Sequence, residues 1–242
     1  MSAGRTGACT RDRLAYSPPM QLPPDVPVMT LSNVILFPQA MLPLHIFEPR
    51  YRQMLRDVLA QDRCFAVAMR RPDRSRETPS QVAGLGLVRA CVTRRDGTSN
   101  LILQGVARIC LGRATQYRPY RRHTVEPLLP TGDASVVVQA LTLRVLELVQ
   151  QRLKTGLQLA IKAVGEEPGG TPFTIEAFNQ ALQHLAKLED SEQLADLVSA
   201  TLLRDARQRQ LILETPCLED RLRHLVHFLQ DEQDDPDLDA DL

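Results

Sequence analysis

The chain has 242 residues, enough for one large domain or two small ones around a substantial core. Hydrophobic residues make up 43% but aromatics only 4%, with no Trp, so the core is aliphatic and stacking platforms for nucleic-acid bases are scarce. Net charge is zero, yet residues 27–130 carry 16 basic and 7 acidic side chains, residues 131–230 carry 10 and 13, and residues 231–242 carry seven acids and no base. The basic residues are almost all Arg, which favours planar, bidentate partners such as carboxylates and phosphates.

No apolar run approaches the ~20 residues of a membrane span, and the amino terminus lacks the apolar stretch of a secretory signal. The five cysteines (Cys9, Cys64, Cys91, Cys110, Cys217) are scattered with no CxxC pair. They suit reduced thiols rather than a disulfide frame or a zinc site, and a cytoplasmic location is the expectation.

Residues 1–25, with Pro18, Pro19, Pro23 and Pro24, show no periodicity and read as a disordered leader. Val26 to Leu36 supplies one or two short strands. Phe37 to Tyr51 then forms a loop, a short apolar strand and a helix entered through Pro49, a residue suited to the first helical position. Tyr51, Met54, Leu55, Val58 and Leu59 recur at helical spacing, giving that helix one apolar face to about Gln61. Cys64 to Met69 is a compact strand, and Arg70 to Ser80 an Arg-rich exposed loop. Val82 to Thr93 is a strand in which Gly84 and Gly86 mark a bulge or a close backbone approach. Arg94-Arg95-Asp96-Gly97 signals a hairpin turn. Return strands are expected from Asn100 to Val106, from Arg108, and from Tyr120 to Glu126.

From Asp133 the period becomes helical. Val138, Leu141, Val145 and Leu148 mark a first helix, with Asp133 or Ser135 as N-cap. Ile175, Phe178, Leu182 and Leu185 mark a second. Asp190 with Gln193 opens a third bearing Leu194, Leu197, Val198, Thr201 and Leu202. Arg204 to Glu214 continues it or stands apart, and Leu218, Leu222, Leu225, Val226 and Leu229 line the last. Residues 231–242 read as an acidic tail too poor in apolar residues to fold alone.

Two stretches carry a family resemblance: Val26-Pro27-Val28-Met29-Thr30-Leu31-Ser32-Asn33-Val34-Ile35-Leu36-Phe37-Pro38, and Leu42-Pro43-Leu44-His45-Ile46-Phe47-Glu48-Pro49-Arg50-Tyr51. They closely resemble the start of the amino-terminal substrate-recognition domain of Lon proteases. The resemblance continues through Gly84-Leu85-Gly86-Leu87-Val88-Arg89, Asp96-Gly97 and Leu103 to Ile109, and resumes at Gln210-Leu211-Ile212-Leu213-Glu214 and Arg221-Leu222. Together with the periodicities it implies an α+β fold: a compact, curved, antiparallel β domain (PUA-like, a pseudo-barrel) over residues 26–130, followed by an α-helical bundle over 131–230. A full Lon protease adds an ATPase and a Ser–Lys peptidase. The sequence has no G-x-x-x-x-G-K-[ST] phosphate loop, and its three lysines sit near no nucleophile motif, so no catalytic residue maps onto it.

The expectation is therefore a non-enzymatic protein-binding module for unfolded or extended polypeptide, working with a Lon-type protease or alone, with no cofactor and no metal. An RNA-binding protein using an Arg-rich face is the alternative. Expected binding residues are Leu36, Phe37, Met41 and Leu44 in an exposed apolar loop. Beside them lies a basic rim of Arg70, Arg71, Arg74, Arg76, Arg121 and Arg122, together with Arg118 and His123. The groove between the two halves is a further candidate. His45, Glu48, Pro49, Arg50 and Tyr51 read as a structural corner: His45 and Glu48 have metal-ligand spacing but no second ligand cluster.

Overall fold

The computed structural model describes residues 22–74, 77–132, 135–164 and 190–234. Its elements in chain order are β1 (Asp25–Leu31), β2 (Met41–Ile46), α1 (Pro49–Leu59), β3 (Cys64–Met69), β4 (Val82–Thr93), β5 (Ser99–Gln116) and β6 (Arg121–Pro127). Then come α2 (Val136–Val164), α3 (Ser191–Leu202), α4 (Ala206–Glu214) and α5 (Leu218–Asp234). The expected second helix around Ile175–Leu185, most of the leader, and the tail beyond Asp234 lie outside the described residues. Residues 231–234, expected to belong to the tail, are the last turn of α5.

The strands form one six-stranded sheet in the order β2-β5-β4-β3-β1-β6, and β6 pairs also with β5. The pairings of β5, β4, β3, β1 and β6 thus return on themselves, while among the described residues β2 is paired on one side only. The sheet is mixed rather than wholly antiparallel, because β1 runs parallel to β3, Val28 facing Ala66 and Leu31 facing Met69. The expected break near Ala107 is also absent. β5 is a single strand of 18 residues, pairing β2 through Ser99–Gln104 and β6 beyond Ile109. Register shifts at Leu85/Gly86, Leu111/Ala114 and Ala114/Gln116 bend the ladder without ending it.

Glycines decide where the chain crosses the sheet. A Cβ on Gly84 would lie 2.0 Å from the Leu36 carbonyl oxygen, and one on Gly105 would lie 1.9 Å from that of Phe37. The 36–37 backbone therefore sinks onto β4 and β5 where side chains are missing. Gln39, at φ 64°, donates its N–H to Gly105 O at 2.8 Å, and Gly105 N–H donates to Ala40 O at 2.9 Å. That is a bulge of the kind that needs a left-handed residue, and it launches β2. The crossing sends Leu36 into the core under α1 and Phe37 into the core shared with the helices.

The helical half is joined to the sheet by packing and by charge. Ile35, Phe37 and Met69 lie in one apolar cluster with Val145, Leu148, Leu194, Val198, Ile212, Leu222 and Leu225. The expected groove between the halves is thus a filled core among the described residues. Ser135 caps α2 through Val138 N at 3.1 Å, and Asp190 caps α3 through Glu192 N at 2.9 Å. Gln210 of α4 donates to Val82 O of β4 at 3.0 Å. At the centre, Arg108 of β5 makes a two-pronged ion pair with Asp196 of α3, its Nη1 lying 2.9 Å from Oδ2. Arg221 of α5 approaches Asp196 at 3.4 Å and Glu192 at 3.1 Å. Side-chain exposure is 4% for Arg108, 3% for Asp196 and 0% for Arg221.

Removing one member of such a cluster leaves a buried, uncompensated charge, which costs about 3–5 kcal/mol. Asp196→Ala is expected to lower the unfolding free energy by that amount in urea titrations. A loss below about 1 kcal/mol, the scale of an exposed pair, would show that the cluster is solvated.

Candidate functional site

β2 alternates. Leu42, Leu44 and Ile46 turn inward and pack with Leu101, Leu103, Val88 and the Tyr51, Met54, Leu55 and Val58 face of α1. Met41, Pro43 and His45 face solvent. The backbone alternates too. Because Ala40 O points at β5, the N–H and C=O groups of Leu42, Leu44 and Ile46 face β5, while those of Met41, Pro43 and His45 face the open side. Among the described residues this is a free strand edge, with Pro43 where a missing N–H breaks no ladder bond.

The solvent face beside that edge is apolar. Cross-strand register sets Pro43, Ile102 and Ala90 in one row and His45, Asn100 and Val92 in the next. These residues line an open depression of about 510 Å³. Val92 is 68% exposed, Met41 59% and Phe47 61%, an unusual set of large apolar side chains in water. His45 Nδ1 lies 2.7 Å from Asn100 Oδ1, and its ring stacks with Phe47 at 5.9 Å. His45 thus belongs to this outer face and not to the corner's packing.

The corner beyond β2 is held by Arg50. Its Nε donates to Glu48 Oε2 at 2.9 Å and its Nη1 to Glu77 Oε2 at 2.6 Å, while the guanidinium lies 4.4 Å from the Tyr51 ring centre. Glu48 is the N-cap residue, but its side chain bonds Arg50 rather than the helix. Tyr51 Oη donates to Glu77 Oε1 at 3.1 Å and accepts from Thr30 N at 3.1 Å, tying α1 to β1 and to the 70–80 loop. Burial opposes the charge of Arg50, but the hydrogen bonds to Glu77 and Glu48 outweigh it and hold the guanidinium above its ordinary value. Burial, with the nearby Glu77 charge, pushes the Tyr51 phenol up to about 12.

The expected binding residues separate on this geometry. Leu36 and Phe37 are 1% and 0% exposed and form core, because the glycine-lined crossing buries them. Met41 and Leu44 both belong to β2, but only Met41 stands on its outer face. Arg71 and Arg74 both pair with Asp73, and Arg70 bridges to Pro79 at the loop's base. Arg76 lies outside the described residues. Arg121 donates to Glu77 O at 2.6 Å, and Arg122 pairs with Asp25 at 2.7 Å, which holds the Asp25 carboxyl below its ordinary range. His123 is buried, its Nδ1 2.9 Å from Gly112 O. The rim is therefore largely committed to internal partners. Arg52, Arg56, Arg94 and Arg95, on α1 and the β4–β5 hairpin, form no ion pair with a described residue, and sequence reasoning passed over them.

A mixed sheet backed by α1 and locked to a helical bundle is a build shared with N-terminal domains of Lon proteases. The N-terminal domain of a Mycobacterium avium complex Lon protease superposes with TM-score 0.66 at 19% identity, covering 86% of this chain and 98% of that one. The Lon N-terminal domain protein of Xanthomonas campestris gives 0.55 at 18%, covering 84% and 98%. Residues 25–231 match the family described as the ATP-dependent protease La (LON) substrate-binding domain, and the chain belongs to that family. Lon protease 2 of Herpetosiphon aurantiacus is 28% identical over 215 residues, 87% of this chain but 24% of that protein. The Lon protease of Syntrophus aciditrophicus is 25% identical over 213 residues, 85% and 25% respectively. The chain thus spans about a quarter of the length of these relatives. Among the described residues, no helix is long and apolar enough to cross a membrane.

Tyr51 offers a direct test of the corner. Its folded pKa of about 12 lies above the ordinary 10.0. The unfolded chain therefore loses its phenol proton first, and stability falls as pH rises through that interval, by about 1.4 kcal/mol per unit. Tyr51→Phe is expected to cost about 1–3 kcal/mol at neutral pH and to flatten this alkaline limb in denaturation measurements. An unchanged limb would mean that the phenol is solvated.

Proposed function

We propose that this chain is a non-enzymatic recognition module that takes up extended or unfolded protein segments as an added strand on the open edge of β2. The observation that carries the reading is the free edge at Met41, Pro43 and His45 lying beside an exposed apolar face. Main-chain bonds to such an edge hold any extended sequence, and the Pro43–Ile102–Ala90 row selects for apolar side chains on alternate positions. Membership of a substrate-binding family supports the reading. So does the lack of a phosphate-cradling loop in the sequence. In this role the chain would hand protein substrates to a Lon-type protease, or hold them itself, in the cytoplasm.

The test uses one small protein in two forms, native and reduced-carboxymethylated. The unfolded form is expected to bind and the folded form not. Met41→Asp with Val92→Asp should weaken binding about tenfold or more, since both place charge in an apolar contact. The purified chain should neither hydrolyse ATP nor cleave the bound protein. Unchanged binding by the double variant would reject the edge as the site. Tighter binding of a single-stranded RNA than of the unfolded protein at physiological salt would favour the nucleic-acid reading.

A further inference from the structure

A second recess lies between α1 and the β4–β5 hairpin, and its chemistry differs from that of the β2 edge. Its volume is about 270 Å³, just below the span usual for drug-sized ligands, so it suits a group the size of one residue. Arg52 and Arg56 line it, one turn apart on α1. Such a spacing puts two like charges side by side, and an anion between them relieves the repulsion. Arg56 spends one N–H on Gln53 Oε1. The Arg52 side chain makes no hydrogen bond or ion pair with a described residue. Its guanidinium lies against Gly97, at φ 79°, where any Cβ would come within 1.8 Å of Nη2.

The far wall offers a further donor. Thr93 Oγ1 and Ser99 Oγ are 3.0 Å apart, so one hydroxyl hydrogen is spent between them and the other remains to donate. Leu55 and Leu59 supply an aliphatic floor, and no aromatic residue lines the recess. Asp96, the acid of the hairpin turn, is engaged in that turn, accepting from Thr98 N at 2.9 Å and from Thr98 Oγ1 at 2.8 Å. Those bonds hold its carboxyl below the usual range, with Arg94 and Arg52 adding to the effect.

We infer that this recess binds the carboxylate end of an extended polypeptide, the terminal carboxylate between Arg52 and Arg56 and the last aliphatic side chain on Leu55 and Leu59. A guanidinium meets a carboxylate in a bidentate, planar fork. A lone phosphate would leave the aliphatic floor unused, and a nucleobase would find no ring to stack on. The inference rests on the protein-recognition reading above and names a chain terminus as the feature read.

The test is fluorescence anisotropy with one amino-terminally labelled apolar peptide ending in Leu, made as the free acid and as the carboxamide. The free acid is expected to bind about tenfold or more tightly, the scale of hydrogen bonds to a charged group. Arg52→Ala with Arg56→Ala should bring the two forms to equal affinity, with the fold checked by circular dichroism. Arg52→Lys, which keeps the charge but not the fork, should fall between. Equal affinities for wild type, or a difference that survives in the double variant, would overturn the inference. So would displacement of the peptide by inorganic phosphate at the peptide's own concentration. If acid and amide bind equally and Val92→Asp weakens both, recognition at β2 stands and the terminal recess falls. If neither peptide nor the carboxymethylated protein binds, both readings fall together.

Discussion

The two-pronged contact between Arg108 and Asp196, closed over by Arg221, is the constraint on which the rest of the molecule depends. Three ionic side chains leave water almost completely, and their mutual attraction has to offset that desolvation. It does so only when β5, α3 and α5 are all in place, so strand and bundle are each incomplete alone. Because β5 also carries β2 on its first half, the helices set the position of the open edge through a strand they touch at the other end. An edge held by these contacts would lower the ordering cost of the strand addition proposed above.

The apolar side chains of the 34–44 segment divide between inside and outside for a related reason. Gly84 and Gly105 leave room for backbone against backbone, so Leu36 and Phe37 drop into the two cores that the crossing separates. Past the bulge at Gln39, the same chain emerges with Met41 and Pro43 in solvent. One left-handed residue thus converts a core segment into an edge strand within a few positions.

Much of this was legible in the residues. Helical periodicity placed α1, α2, α3 and α5, and Asp96-Gly97 placed the hairpin, because these are local effects of spacing and turn chemistry. β5 reads as two strands, Asn100 to Val106 and one from Arg108, because its alternation is loose there and its change of partner from β2 to β6 has no local signal. Leu36 and Phe37 were expected at the surface because nearby prolines suggest a loop, whereas distant glycines bury them. The free edge could not be read at all, since it follows from which strands pair. Arg108 and Asp196 lie 88 positions apart, and no local pattern joins them. A clue did exist at Arg221, which falls on the apolar stripe of Leu218, Leu222, Leu225 and Leu229 and so had to be buried with a partner. Nothing local singles out Arg52 and Arg56, because the hairpin that makes a recess of them closes from later in the chain.

Pro43 gives the open edge a sense of self and other. Its carbonyl can accept from a visiting strand, but it has no N–H to give back. A foreign segment paired at this position forfeits a single donor, and only on one partner. Two copies of the chain meeting edge to edge about a twofold axis would forfeit it on both, at the centre of a six-residue strand. Self-pairing at this edge is thereby penalised, and because β5, β4, β3, β1 and β6 pair back on themselves, it would end at two copies rather than extend into a ribbon.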